Sequence, residues 1–140
     1  MRQRLGIIGI VTGSFIGLFG LAVMAAENPP DDYSKAMKDI NAAVARIDKA
    51  MAAGDFDTIG KSAGTIVDTL PVVEKYWTGK AEDGVMFAQA AAKVAGDLRA
   101  VAGLQSTDGV AFSAKELAAV CTQCHMAHRE ALPNGTFQIK

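Results

Sequence analysis

Apolar residues recur at alternating steps of three and four along four successive segments of this 140-residue chain. Such spacing puts the apolar side chains on one stripe of an α-helix and is typical of the seams in helical bundles. The stripes comprise Met37, Ile40, Val44, Ile47 and Met51; Ile59, Ala63, Ile66, Leu70, Val73 and Trp77; Phe87, Ala91, Val94, Leu98 and Val101; and Leu117, Cys121, Cys124 and His128. The sequence therefore predicts an all-α chain of four helices, the last beginning near Ser113.

The connections between the predicted helices are short and lie at residues 53–55, 79–84 and 103–109. Short connections make sequential helices antiparallel neighbours, so we predict an antiparallel up-down-up-down four-helix bundle. Pro71 removes a backbone hydrogen bond inside the second stripe and is expected to bend that helix rather than end it. The last helix is expected to stop before Pro133-Asn134-Gly135, and no segment has the pattern of a strand.

Cys121, Cys124 and His125 form the pattern C-x-x-C-H, the attachment signature of c-type haem. Residues three and four apart share one face of a helix, so the three side chains can converge on one group. The two thiols would form thioethers with the haem vinyl groups, and His125 would be the proximal axial ligand of the iron. The motif predicts one covalently bound haem c.

Three other interpretations of the two cysteines are weaker. A structural zinc site takes four ligands, and His128 follows His125 too closely for the usual spacing of a zinc-binding pair. A thioredoxin-like redox pair needs a βαβ context, which this sequence does not predict. A disulfide within one helical turn would close a loop too small to add much stability.

Residues 1–26 have the features of a secretory signal peptide: Arg2 and Arg4, then an apolar run, then small residues up to Ala26. Cleavage there would leave residues 27–140, which is the length of one domain. The apolar run is also long enough to span a bilayer, so an uncleaved leader would anchor the chain in the membrane. Because haem is attached covalently outside the cytoplasm, the leader and the motif agree, and we predict a periplasmic location.

The leader carries two Arg and no acidic residue, so the formal net charge changes from −1 for the whole chain to −3 without it. There is no run or cluster of basic residues, which argues against a nucleic-acid partner. A weakly acidic surface fits a periplasmic protein without identifying its partner.

With these features, the chain resembles the cytochrome c′ family, the class II c-type cytochromes. The segment CTQCHMAHR is similar to the family's C-x-x-C-H-x-x-Y/F-R, with His128 where an aromatic residue is usual. Leu70-Pro71 and Tyr76-Trp77-Thr78-Gly79 are similar to the end of the family's second helix, without its turn proline. The resemblance implies a single haem at one end of the bundle, with His125 on its proximal side and the first helix on its distal side.

The resemblance also implies that Arg129 tunes the haem environment, one turn beyond His125. The alternative is a solvated Arg favoured by the dipole at a helix C-terminus. In the first helix, Tyr33 stands where the family carries an Arg that reaches a haem propionate. Lys35 and Lys38 are the cations nearest to that position.

Met37 aligns with the family's distal position. There, Met gives a six-coordinate, low-spin, electron-carrying subgroup, whereas an apolar residue that does not bind iron leaves it five-coordinate and open to small gases. Met37 also lies on the core seam, where Met is usually a packing residue, as we expect for Met51 and Met86. The sequence leaves both roles open.

The sequence thus predicts a periplasmic monohaem c-type cytochrome that carries single electrons between redox partner proteins through His/Met-ligated iron. The alternative is a five-coordinate cytochrome c′ that binds nitric oxide or carbon monoxide at an open distal site. We do not expect an enzyme, because a peroxidase-like site needs a distal His or carboxylate to handle protons, and only Tyr33 and Asp39 lie near Met37. Members of the family often pair as homodimers through their first two helices.

Overall fold

The computed structural model describes residues 28–140, and the predicted leader over residues 1–26 lies outside these described residues. The prediction of an all-α, four-helix fold is confirmed. Within the described part of the chain, no helix is both long and apolar enough to cross a membrane. The elements are α1 (Asp31–Ala53), α2 (Phe56–Trp77), α3 (Glu82–Gly103), α4 (Thr107–His128), β1 (Arg129–Ala131) and β2 (Phe137–Ile139).

Consecutive helices lie antiparallel, as their short connections predicted. Tyr33 at the start of α1 stacks on Tyr76 at the end of α2, with ring centroids 4.3 Å apart. Asp83 at the start of α3 lies beside His128 at the end of α4, with 3.1 Å between Asp83 Oδ2 and His128 Nε2. Pro71 lies inside α2, which continues beyond it to Trp77.

The core is formed by apolar side chains from all four helices. Its largest fully buried members are Ile47, Ile59, Ile66 and Leu98. On α3 the buried stripe is shifted from the predicted one: Phe87, Val94 and Val101 are only half-buried, and Met86, which was expected in the core, is 62% exposed. The buried face of α3 consists mostly of small residues, which let α2 and α3 approach closely. They include Ala88, Ala91, Ala95 and Ala102.

The start of α4 was predicted wrongly. The helix begins at Thr107, six residues before Ser113, because the Ser106 hydroxyl accepts a hydrogen bond from the Gly109 N–H at 3.2 Å and caps the first turn. Val110 and Ser113 are then buried inside the helix. The Ser, Thr, Asp and Gly residues that suggested a loop are in fact the N-cap and first turn of a helix.

Gly84 lies in the first turn of α3 directly against the buried Trp77 ring. A Cβ atom at this position would lie 2.5 Å from Trp77 Cδ2. We therefore expect Gly84→Ala to destabilise the protein by about 1–3 kcal/mol, the usual range for overpacking a core. The matched control is Gly96→Ala in the same helix, where a Cβ would meet nothing within 4 Å. That change should stabilise by about 0.5–1 kcal/mol, and urea unfolding of both variants measures the difference.

The chain after α4 forms a β-hairpin, which contradicts the prediction of no strand. β1 and β2 pair antiparallel, with Arg129 opposite Ile139. Gly135 adopts the left-handed region at φ 79°, and Asn134 Oδ1 accepts a hydrogen bond from the Thr136 N–H at 3.0 Å. An Asn-Gly pair is a turn signal that favours a hairpin, so the sequence did carry part of the information.

Candidate functional site

The bundle is open between its first and last helices. α1 scarcely contacts α4, and a cleft of about 650 Å³ lies between them. Its volume falls within the range of about 300–1,000 Å³ that is typical of ligand sites. The buried residues of α4 are Val110, Ser113 and Leu117, all in its N-terminal half. The C-terminal half of α4 is therefore left partly uncovered along the cleft.

Cys121, Cys124 and His125 lie on this uncovered part of α4 and line the cleft together. The two cysteines are free thiols, each half-buried. Burial raises the pKa of Cys121, and burial together with the charges of Cys121 and Asp83 raises the pKa of Cys124 to about 11. Both side chains are therefore neutral thiols at neutral pH, and a disulfide does not join them.

His125 and Arg129 lie next to each other on the α4 side of the cleft. Arg129 Nη1 is 3.4 Å from His125 Nδ1. Burial, and then the positive charge of Arg129, lowers the pKa of His125, so that its ring is neutral at neutral pH and able to bind a metal. Arg129 was predicted to lie inside the last helix, but α4 ends at His128. Its backbone N–H still donates to the His125 carbonyl oxygen, which keeps the two residues together.

Met37 lines the opposite wall of the cleft, on α1. It also borders a small apolar cavity of about 40 Å³, whose lining includes Cys121, Cys124 and His125. The structure thus brings the predicted distal residue and the C-x-x-C-H residues to the same space. Met37 is half-buried and packs against the core as well, so its position agrees with both predicted roles.

Tyr33 and Lys38 are the α1 residues beside Met37. The Tyr33 ring is buried and lines the cleft, and burial followed by the Cys124 thiol raises the pKa of its phenol to about 12. Lys38 also lines the cleft, whereas Lys35 pairs with Asp39 on the outer surface. Of the two cations considered for the missing Arg, only Lys38 borders the site.

His128 lines the same cleft as the two thiols and His125, whereas Met126 does not. The His128 ring packs on Trp77, with centroids 4.4 Å apart, and its Nε2 faces Asp83 on α3. This agrees with a packing role in place of the usual aromatic residue. Met126 is 70% exposed and lies outside the cleft.

Sequence reasoning missed the contribution of the hairpin. Thr136, Phe137, Gln138 and Ile139 all line the cleft, and Ile139 packs against the core. The Arg129 guanidinium carbon lies 3.2 Å from the Phe137 ring centroid. These residues form a wall beside His125 that four helices alone would not provide.

Across residues 28–140, no three His, Cys, Asp or Glu side chains converge into a metal site. No family model, curated protein or solved structure matches this chain.

Proposed function

We propose that this chain is a monohaem c-type cytochrome that carries single electrons between redox partner proteins. One observation carries the proposal: the cleft between α1 and α4 has the C-x-x-C-H side chains on one wall and Met37 on the other. In this proposal, Cys121 and Cys124 hold the haem through thioethers, and His125 is the proximal axial ligand.

The chemistry of the cleft supports a porphyrin as its ligand. Apolar and small side chains make up most of both walls, among them Ile40, Val44, Leu117 and Ala118. Lys38 supplies positive charge on the α1 side of the cleft, which would favour the carboxylates of haem propionates. A porphyrin would bring four nitrogen ligands of its own, so the protein would need to supply only axial ligands.

Each residue of the site has a definite task in this proposal. The neutral His125 ring presents Nε2 as a ligand, while its Nδ1 lies beside Arg129. Met37 would provide a thioether from the distal side and exclude other ligands. When bound, the haem supplies a one-electron Fe(III)/Fe(II) couple, and a thioether ligand raises the potential of that couple.

The resemblance to the cytochrome c′ family and the predicted export leader support a periplasmic electron carrier. The second candidate is a gas-binding cytochrome, favoured by the packing of Met37 against the core cluster. If Met37 is only a packing residue, the distal position stays open to nitric oxide or carbon monoxide.

The absorption spectrum of the haem-loaded protein separates the two candidates. His/Met ligation should give sharp low-spin bands in the reduced protein and a weak sulfur-to-iron band at the red end of the oxidised spectrum. High-spin bands in both states would contradict electron transfer through His/Met ligation and would favour gas binding.

A further inference from the structure

The hairpin contacts Arg129 through Phe137. The Arg129 guanidinium contacts two rings: its carbon atom is 3.2 Å from the Phe137 ring centroid, and its Nη1 is 3.4 Å from His125 Nδ1. Arg129 begins β1 and Phe137 begins β2, so strand pairing fixes the two relative to each other. The Lys140 N–H also donates to the His128 carbonyl at 3.2 Å, which ties the end of the hairpin to α4.

The position of this guanidinium matters because it can only donate hydrogen bonds. A neutral imidazole that binds a metal through Nε2 carries its proton on Nδ1, and Arg129 cannot accept that proton. A carboxylate or carbonyl at Nδ1 would make the imidazole a stronger donor. A fixed positive charge beside Nδ1 makes the imidazole a weaker donor to the metal. It also favours the reduced iron, which carries one positive charge less than the oxidised iron.

We propose that Phe137 is a positioning residue that clamps Arg129 beside His125 and thereby raises the reduction potential of the haem. This inference rests on the proposed function and assigns a role to the hairpin. Phe137 acts through Arg129, because it borders the cleft but stacks on the guanidinium rather than on His125.

The expected effect has an upper limit. Phe137 stabilises the observed position of Arg129 by some factor. Losing Phe137 cannot change the equilibrium constant for reduction of the haem by more than that factor. For an exposed cation–π pair that stabilisation corresponds to a factor of roughly two to five. At 59 mV per tenfold change for one electron, Phe137→Ala should lower the potential by no more than about 20–40 mV.

The test is a double-mutant cycle on the haem-loaded protein, with potentials from spectroelectrochemical titration. Phe137→Ala should lower the potential, Phe137→Trp should retain it, and Phe137→Ala should have no effect in an Arg129→Gln background. The matched control is Phe112→Ala, another exposed Phe, 13 residues before His125 and about 20 Å away along α4. That control should leave the potential unchanged.

Two results would overturn the proposal. One is an unchanged potential in Phe137→Ala; the other is an equal shift in the Arg129→Gln background, which would show that Phe137 acts only by shielding the haem from water. A wild-type chain that takes up no haem would instead contradict the proposed function itself, and with it this role of Phe137.

Discussion

Replacing both Cys121 and Cys124 with Ala is expected to remove the haem and to loosen the bundle on one side only. α1 and α4 scarcely contact each other, so in this account the haem supplies the apolar contact between them. α2 and α3 pack closely along their length and do not depend on it. Amide hydrogen exchange should accelerate by roughly tenfold or more in α1 and in the C-terminal half of α4, about 1.4 kcal/mol or more of lost local stability.

The control for this variant lies inside the same motif. The double variant Thr122→Ala, Gln123→Ala changes two exposed residues between the cysteines. Neither residue lines the cleft. This variant should retain the haem and the exchange pattern of the wild type. The double cysteine variant could instead show the same amide exchange rates as the wild type throughout α1 and α4. That result would show that the helices pack adequately without a cofactor.

Replacing Met37 with Ala is expected to open the distal side of the iron. If the proposed function holds, carbon monoxide would bind to the wild type only when Met37 has left the iron, and such minor states are populated at about 0.1–10%. Removing Met37 should therefore strengthen carbon monoxide binding roughly 10- to 1,000-fold. The reduced haem should change from low spin to high spin at the same time, which absorption spectroscopy detects.

Met51→Ala is the matched control, because Met51 lies on the same seam of α1 and packs against the core. It stands 14 residues from Met37, about 21 Å along the helix. Its loss should lower stability without changing spin state or gas binding. A wild-type protein that is high-spin and binds carbon monoxide as readily as Met37→Ala would make Met37 a packing residue only.

The helices could be predicted from the sequence because their stripes are long and regular. The starts of α3 and α4 could not, because side-chain contacts decide them. Ser106 caps α4 ahead of the apolar stripe, and Gly84 lies inside the first turn of α3, where the Trp77 ring leaves no space for a side chain. The buried stripe of α3 shifted for a related reason, since close approach to α2 selects Ala rather than Val or Phe.

The spacing of the motif predicted that Cys121, Cys124 and His125 would share a face, and the structure places all three on the cleft. Met37 on the facing wall followed from the family resemblance, because periodicity alone assigned it equally well to the core. The hairpin was missed because its strands have three residues each, too short for an alternating pattern to be visible. Only the Asn134-Gly135 turn marked it.

The most direct test of this account is the intact mass of the protein produced with its leader in a host that attaches haem c. The account predicts the mass of the polypeptide plus one haem, with the haem retained after acid–acetone extraction. The added mass should disappear in the Cys121→Ala, Cys124→Ala variant. A wild-type protein from which all haem is extracted, or one that carries zinc in its place, would contradict it.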